Sequence, residues 1–253
     1  MTNTPGNNGH APNGQNGSNG EDKIVHFPSL AERRAKIMAQ NKKPKQKQPP
    51  FLNLSRIPPF TRAMIATFII VHIVLTLLPP ETQAQIVYTF GFVPAYFTGA
   101  LKPFPWGAGI SPLTHLFLHG GWMHIAFNTV MALSLGMVFE RTFGTRRMVI
   151  FFFLCGLAGA LAYFITAPFS EAPVIGASGS ISGLFGAVIV QMNERPGMHT
   201  RFKTPWPIIG FWLAFMVLSG MLSGDALAWQ AHVGGFLAGI GLYYGMKSGK
   251  IKL

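Results

Sequence analysis

The pattern of apolar and polar positions divides this chain into a polar N-terminal stretch followed by long, nearly uncharged runs. Two windows, Met148 to Ser170 and Thr204 to Gly224, contain no charged residue at all. Windows of that length and polarity predict helices that cross a bilayer. Six apolar segments follow one another: Phe60–Leu78, Trp122–Phe139, Met148–Thr166, Ser178–Met192, Pro207–Leu222 and Trp229–Met246. The predicted fold class is therefore an all-α membrane protein with six transmembrane helices.

Residues 1–20 are almost entirely Asn, Gly, Thr, Pro, Ser and Gln. They offer too little apolar surface to fold, and no basic start leads into an apolar core as in a signal peptide. The expected organisation is a disordered, basic tail over 1–59, a membrane domain over 60–246 and a short basic tail over 247–253. Within the first tail, residues 29–40 predict a short helix capped by Ser29. The basic, Pro-rich run Lys42 to Pro50 reads as an extended segment near acidic lipid headgroups, with nucleic-acid binding as the other reading.

Charged residues make up only 11% of the chain, yet its formal net charge is +12. Such a charge invites a nucleic-acid function, but the placement of the basic residues argues for a membrane instead. If the six segments alternate across a bilayer, nineteen of the twenty Lys and Arg fall on one side, with Lys102 alone on the other. The positive-inside rule then puts both termini in the cytoplasm. The long connection Thr82–Pro112 faces outward. The single Cys155 lies in an apolar run and reads as a small packing residue.

Ionisable and polar side chains inside spans are costly, so each is a functional candidate. They are His72 in the first span, His124 and Asn128 in the second, Ser178, Ser180 and Ser182 opening the fourth, and His232 opening the sixth. Spans two, four and six run in the same direction. By helix rise, His124, Ser178 and His232 all lie about 22–26 Å above the basic cytoplasmic edge. Asn128 shares a face with His124 at the i, i+4 spacing. Polar groups from three helices at one level predict a single site. The fourth segment is also short, about 22 Å against a hydrocarbon core of about 30 Å. Its Ser178 end should begin below the surface, where a loop delivers it beside free backbone N–H groups.

These residues resemble a known family. Gly176-Ala177-Ser178-Gly179 is similar to the Gly-x-Ser-Gly motif of rhomboid intramembrane proteases. His124-Ile125-Ala126-Phe127-Asn128 resembles their His-x-x-x-Asn. Ala231-His232-Val233-Gly234-Gly235 with Gly239 resembles their Ala-His-x-x-Gly-x-x-x-Gly, and Gly136, Glu140 and Gly144 their Gly-x-x-x-Glu-x-x-x-Gly. The resemblance spans about residues 60–246. It implies a six-helix rhomboid-like bundle and a serine endopeptidase that cuts transmembrane substrates. It also implies a dyad of Ser178 as nucleophile and His232 as base, with His124, Asn128 and the Ser178 backbone N–H around the oxyanion. Two departures stand out: Ile110-Ser111 where the family often has Trp-Arg, and Ser182 where it often has an aromatic. The outer loop is then expected to be anchored differently, by Trp106 for example. Phe185 or Phe236 is expected to support His232 in place of the missing aromatic.

Other readings remain beside this one. His72 reads as a packed, hydrogen-bonded core histidine, and Asp225 as a solvated loop charge. His115, His119 and His124 could suggest a metal, but no further ligand is evident on the same face, so neither metal nor cofactor is expected. Gly179-x-x-x-Gly183 and Gly235-x-x-x-Gly239 predict close approach of two helices. The expected partners are transmembrane-protein substrates and the lipid bilayer, with no nucleic acid and the oligomeric state open. The expected location is a bacterial inner membrane. The competing functions are a non-catalytic rhomboid-fold binder of transmembrane segments and a transporter. The second would call for symmetry between sequence halves.

Overall fold

The computed structural model describes residues 28–41, 56–194, 204–222 and 228–251. The expectations for the tail 1–20, the run Lys42–Pro50 and Asp225 lie outside these residues. Every regular element among them is a helix. The chain divides into two units, residues 1–50 and 51–253. In the first, α1 spans Leu30–Asn41. Its start is closed by reciprocal bonds: the Glu32 N–H donates to Ser29 Oγ at 3.2 Å, and the Ser29 N–H donates to Glu32 Oε2 at 2.7 Å. Ser-x-x-Glu thus satisfies two backbone donors, and Ser29 is the cap expected from sequence.

The second unit contains α2 (Pro59–Thr76), α3 (Pro80–Phe90), α4 (Pro94–Thr98), α5 (Ser111–Thr114), α6 (Trp122–Phe143), α7 (Thr145–Thr166), α8 (Ser178–Glu194), α9 (Trp206–Leu222) and α10 (Trp229–Lys247). By length and apolar composition, α2, α6 and α7 can each cross a membrane. The long connection between α2 and α6 is more structured than its sequence suggested. Pro80 opens α3 and Pro94 opens α4, where a proline costs nothing because a first-turn N–H has no helical acceptor.

Glycine and alanine decide how α7, α8 and α10 meet. A Cβ added at Gly235 would run into the Gly179 carbonyl oxygen, and one at Gly239 into that of Gly183. A Cβ at Gly159 on α7 would stand 2.6 Å from the Ala231 carbonyl oxygen. The three helices therefore touch backbone to backbone; the small-residue spacing predicted this for α8 and α10, and α7 joins them through Gly159. Cys155 is fully buried in this seam, its Sγ 2.5 Å from where a Gly183 Cβ would be.

Glu140 fastens α2 to the far end of α6. Its carboxylate accepts from the N–H groups of Phe60 (2.9 Å) and Thr61 (2.8 Å) and from the hydroxyls of Thr61 (2.7 Å) and Thr145 (2.8 Å). The first turn of α2 follows Pro58 and has no side-chain cap of its own. A buried carboxylate from another helix satisfies its donors and faces the positive end of its dipole.

Candidate active site

Ser178 is the first residue of α8, and His232 and His124 lie in the first turns of α10 and α6. The backbone contact of α8 with α10 places His232 Nε2 2.7 Å from Ser178 Oγ. At this distance Ser178 Oγ and Nε2 share a hydrogen bond, and it is the hydroxyl that donates when the imidazole proton is on Nδ1. His232 Nδ1 is buried, with no hydrogen-bond partner among the described residues.

Asn128, Ser178 and His232 line one cavity of about 50 Å³, together with Phe127, Met131, Ile181, Ser182, Phe185 and Trp212. A space of this size admits about one water or a small side chain. Asn128 Nδ2 donates to the His124 carbonyl at 2.9 Å, and its second hydrogen is left for another acceptor. His124 does not line the cavity. Its Nε2 lies 2.7 Å from where a Gly176 Cβ would be, two residues before Ser178. Gly176 has φ +111°, so any other residue there would be strained and would strike the His124 ring.

The loop that delivers Ser178 is held by backbone bonds at three points from the chain between α2 and α6. The Ala95 N–H donates to the Ser170 carbonyl at 3.0 Å. Phe92 and Val174 exchange backbone bonds of 3.0 and 2.9 Å. The Gly176 N–H donates to the His115 carbonyl at 2.8 Å. The His115 ring is buried and its Nδ1 donates to the Ser111 carbonyl at 2.9 Å. Burial lowers its pKa to about 4, so the ring is neutral at pH 7. Where Ile110-Ser111 stands, the connection is anchored by this histidine and by Thr114, whose hydroxyl donates to the Phe90 carbonyl at 2.7 Å. Trp106 meets Phe90 edge-on at 5.2 Å but is 84% exposed, so it contributes less than expected.

Two further expectations change. His72 is buried against Trp122, with ring centroids 4.7 Å apart, but neither ring nitrogen has a hydrogen-bond partner among the described residues. Phe185 and Phe236 do not stack on His232. Their rings lie 6.2 Å from each other, and Phe185 pairs with Trp212 of α9 at 4.3 Å. The space beside Ser182 belongs to the cavity, which that aromatic pair helps to close. The walls Phe127, Met131 and Trp212 were missed in the sequence because apolar residues in a span carry no signal of what they enclose.

A family model described as the Rhomboid domain matches residues 109–248, more than half of the chain and all of α5 to α10. This chain belongs to the rhomboid family. With its apolar helices, that makes it an integral membrane protein. The Rhomboid protease GluP of Bacillus subtilis is 28% identical over 185 residues, covering 72% of this rhomboid and 34% of that protein. The Putative rhomboid protease YdcA of the same bacterium is 30% identical over 131 residues, 50% of this chain and 62% of that one. The human Inactive rhomboid protein 2 is 30% identical over 133 residues, 49% of this chain and 14% of that one. This rhomboid thus spans between a third and under two thirds of GluP and YdcA, and the relatives carry both protease and inactive names.

Proposed function

We propose that this rhomboid is an intramembrane serine endopeptidase that hydrolyses peptide bonds in or near transmembrane helices, with six spanning helices (α2, α6, α7, α8, α9 and α10). The observation that carries the reading is the 2.7 Å contact of Ser178 Oγ with His232 Nε2 beside a cavity. A serine hydroxyl becomes a useful nucleophile next to a base, and a neutral imidazole is such a base near pH 7. Ser178 Oγ attacks the scissile carbonyl carbon while its proton passes to Nε2. The resulting oxyanion is met by the Ser178 N–H, free at the start of α8, and by the second hydrogen of Asn128 Nδ2. His124, beside Gly176, adds to that polar surround. The C–N bond then breaks as Nε2 returns the proton to the leaving amine, and water hydrolyses the acyl-enzyme by the reverse roles.

The substrate is a transmembrane segment cut nearer its outer end, with both termini of this chain cytoplasmic in a bacterial inner membrane. The nineteen basic residues on one side and the starts of α6, α8 and α10 at the other support this placement. A helix must unwind before its carbonyls can be attacked, so Gly, Pro or small polar residues in the substrate favour cleavage.

Labelling by a fluorophosphonate probe in detergent tests the reading. The expected result is a labelled wild-type protein and unlabelled, folded Ser178→Ala and His232→Ala variants, which also fail to cut a transmembrane reporter. Full labelling of Ser178→Ala, with Ser180 or Ser182 as the modified residue, would overturn the assignment. The inactive name among the relatives keeps a second reading, a non-catalytic binder of transmembrane segments. It predicts no labelling of the wild-type protein at all.

A further inference from the structure

α1 has two unlike faces. At 100° per residue, Leu30, Ala31, Ala35, Ile37 and Met38 fall on one side of the helix. Glu32, Arg33 and Lys36 fall on the other, and Arg34 lies between Leu30 and Met38. The apolar residues are uncovered: Leu30 is 79% exposed, Ile37 58% and Met38 72%. Three basic residues against one acid give the helix a net positive charge, and the Ser29/Glu32 cap fixes its start.

We infer that α1 is an interfacial helix that lies on a bilayer containing anionic lipid. The polar average, short apolar stripe and flanking Arg and Lys are what such a helix needs. Apolar side chains enter the headgroup boundary, and the cations meet lipid phosphates. Arg34, on the apolar side, can bury its stem and extend its guanidinium to the same phosphates. Distance also favours the lipid. Only residues 42–58 separate α1 from α2, at most about 60 Å of extended chain, and α2 is a candidate membrane span. A helix of 12 residues binds lipid weakly when free, but tethered this closely it faces a high effective concentration of headgroups. The residues of the tether add four lysines, an arginine and no acid to the same field. The inference needs only a membrane-anchored chain and is independent of the protease reading.

The test uses the full chain in a Cys155→Ala background, with an environment-sensitive fluorophore on Ile37→Cys or, as the polar-face control, on Lys36→Cys. The protein is reconstituted into phosphatidylcholine vesicles or into equimolar phosphatidylcholine and phosphatidylglycerol. The expected result is a blue-shifted emission at position 37 in the mixed vesicles, quenched by nitroxide-labelled lipid and lost in high salt. The shift should be absent at position 36, and lost at 37 when Arg33, Arg34 and Lys36 are all replaced by Gln. Both side chains are exposed, so neither attachment removes a packing contact. An equal shift in both vesicle types would overturn the inference. So would a shift that lipid nitroxides do not quench, which would mean α1 packs on protein, and so would no shift in either.

Discussion

On the α7 and α10 side of Ser178 the wall is backbone: a Cβ added at Gly159 would strike the Ala231 carbonyl, and one at Gly235 the Gly179 carbonyl. On the α6 and α9 side the wall is made of side chains. Phe127 and Met131 of α6 and Trp212 of α9, with Phe185 of α8, line a cavity of about 50 Å³. Backbone packed on backbone cannot yield without moving whole helices, whereas side chains can rotate within their wells. The difference separates two tasks that the proposed reaction needs. The unyielding flank keeps His232 on Ser178, and the yielding flank is where a substrate chain can be admitted.

The strongest way to break this comparison is to force bulk into the unyielding flank. Gly235→Val should drive α10 from α8 and lower serine labelling by at least about 10²-fold, since small misplacements in a catalytic pair cost that much. Gly241→Val on the same helix, where an added Cβ meets nothing within 4 Å, is the control for helix propensity. Equal damage from both would show that the seam is not what positions His232. Next, Asn128→Ala and His124→Ala should each slow reporter cleavage by about 10²–10³-fold without ending it, as for loss of one oxyanion donor. Full-rate cleavage by both would remove them from the site.

The yielding flank should respond less. Ser182→Tyr adds a ring larger than the cavity and should crowd it, lowering kcat/KM about tenfold. Phe185→Ala and Trp212→Ala should change kcat/KM by less than about tenfold and alter which substrate residues are accepted, read by mass-spectrometric mapping of products. A faster Ser182→Tyr enzyme would mean that His232 is under-supported there. The smallest effect is expected from removing residues 1–49. Cleavage in detergent should be unchanged, because α1 belongs to the other unit and supplies none of the residues of the proposed machinery. Loss of cleavage in a folded truncated protein would contradict that.

Much of this arrangement is legible in the sequence, for identifiable reasons. Segments such as Met148–Ser170 announce themselves because a bilayer tolerates almost no charge, and α7 follows that window to within a few residues. The Gly179 and Gly235 spacings predict the seam because close helix approach demands small residues at fixed intervals. Glu140 was visible as a motif member but not as the cap of α2. Its partners Phe60 and Thr61 lie 80 and 79 positions away, and nothing local marks the pairing. The substitute support expected for His232 could not be judged from helical spacing alone. Phe185 shares the Ser178 face, but the ring it meets comes from α9. The helices between α2 and α6 were missed although Pro80 and Glu81 supply a helix start, because a long link between spans was read as loop.

Cys155 is the sole cysteine of the chain, and it lies where α7, α8 and α10 touch. The molecule thus carries its own chemical clock. A thiol reagent can reach Sγ only when those helices part, so the rate of alkylation counts openings of the seam in unmodified protein. Read beside the labelling rate of Ser178, it would tell apart an enzyme slowed by a damaged reacting group from one slowed because its framework breathes.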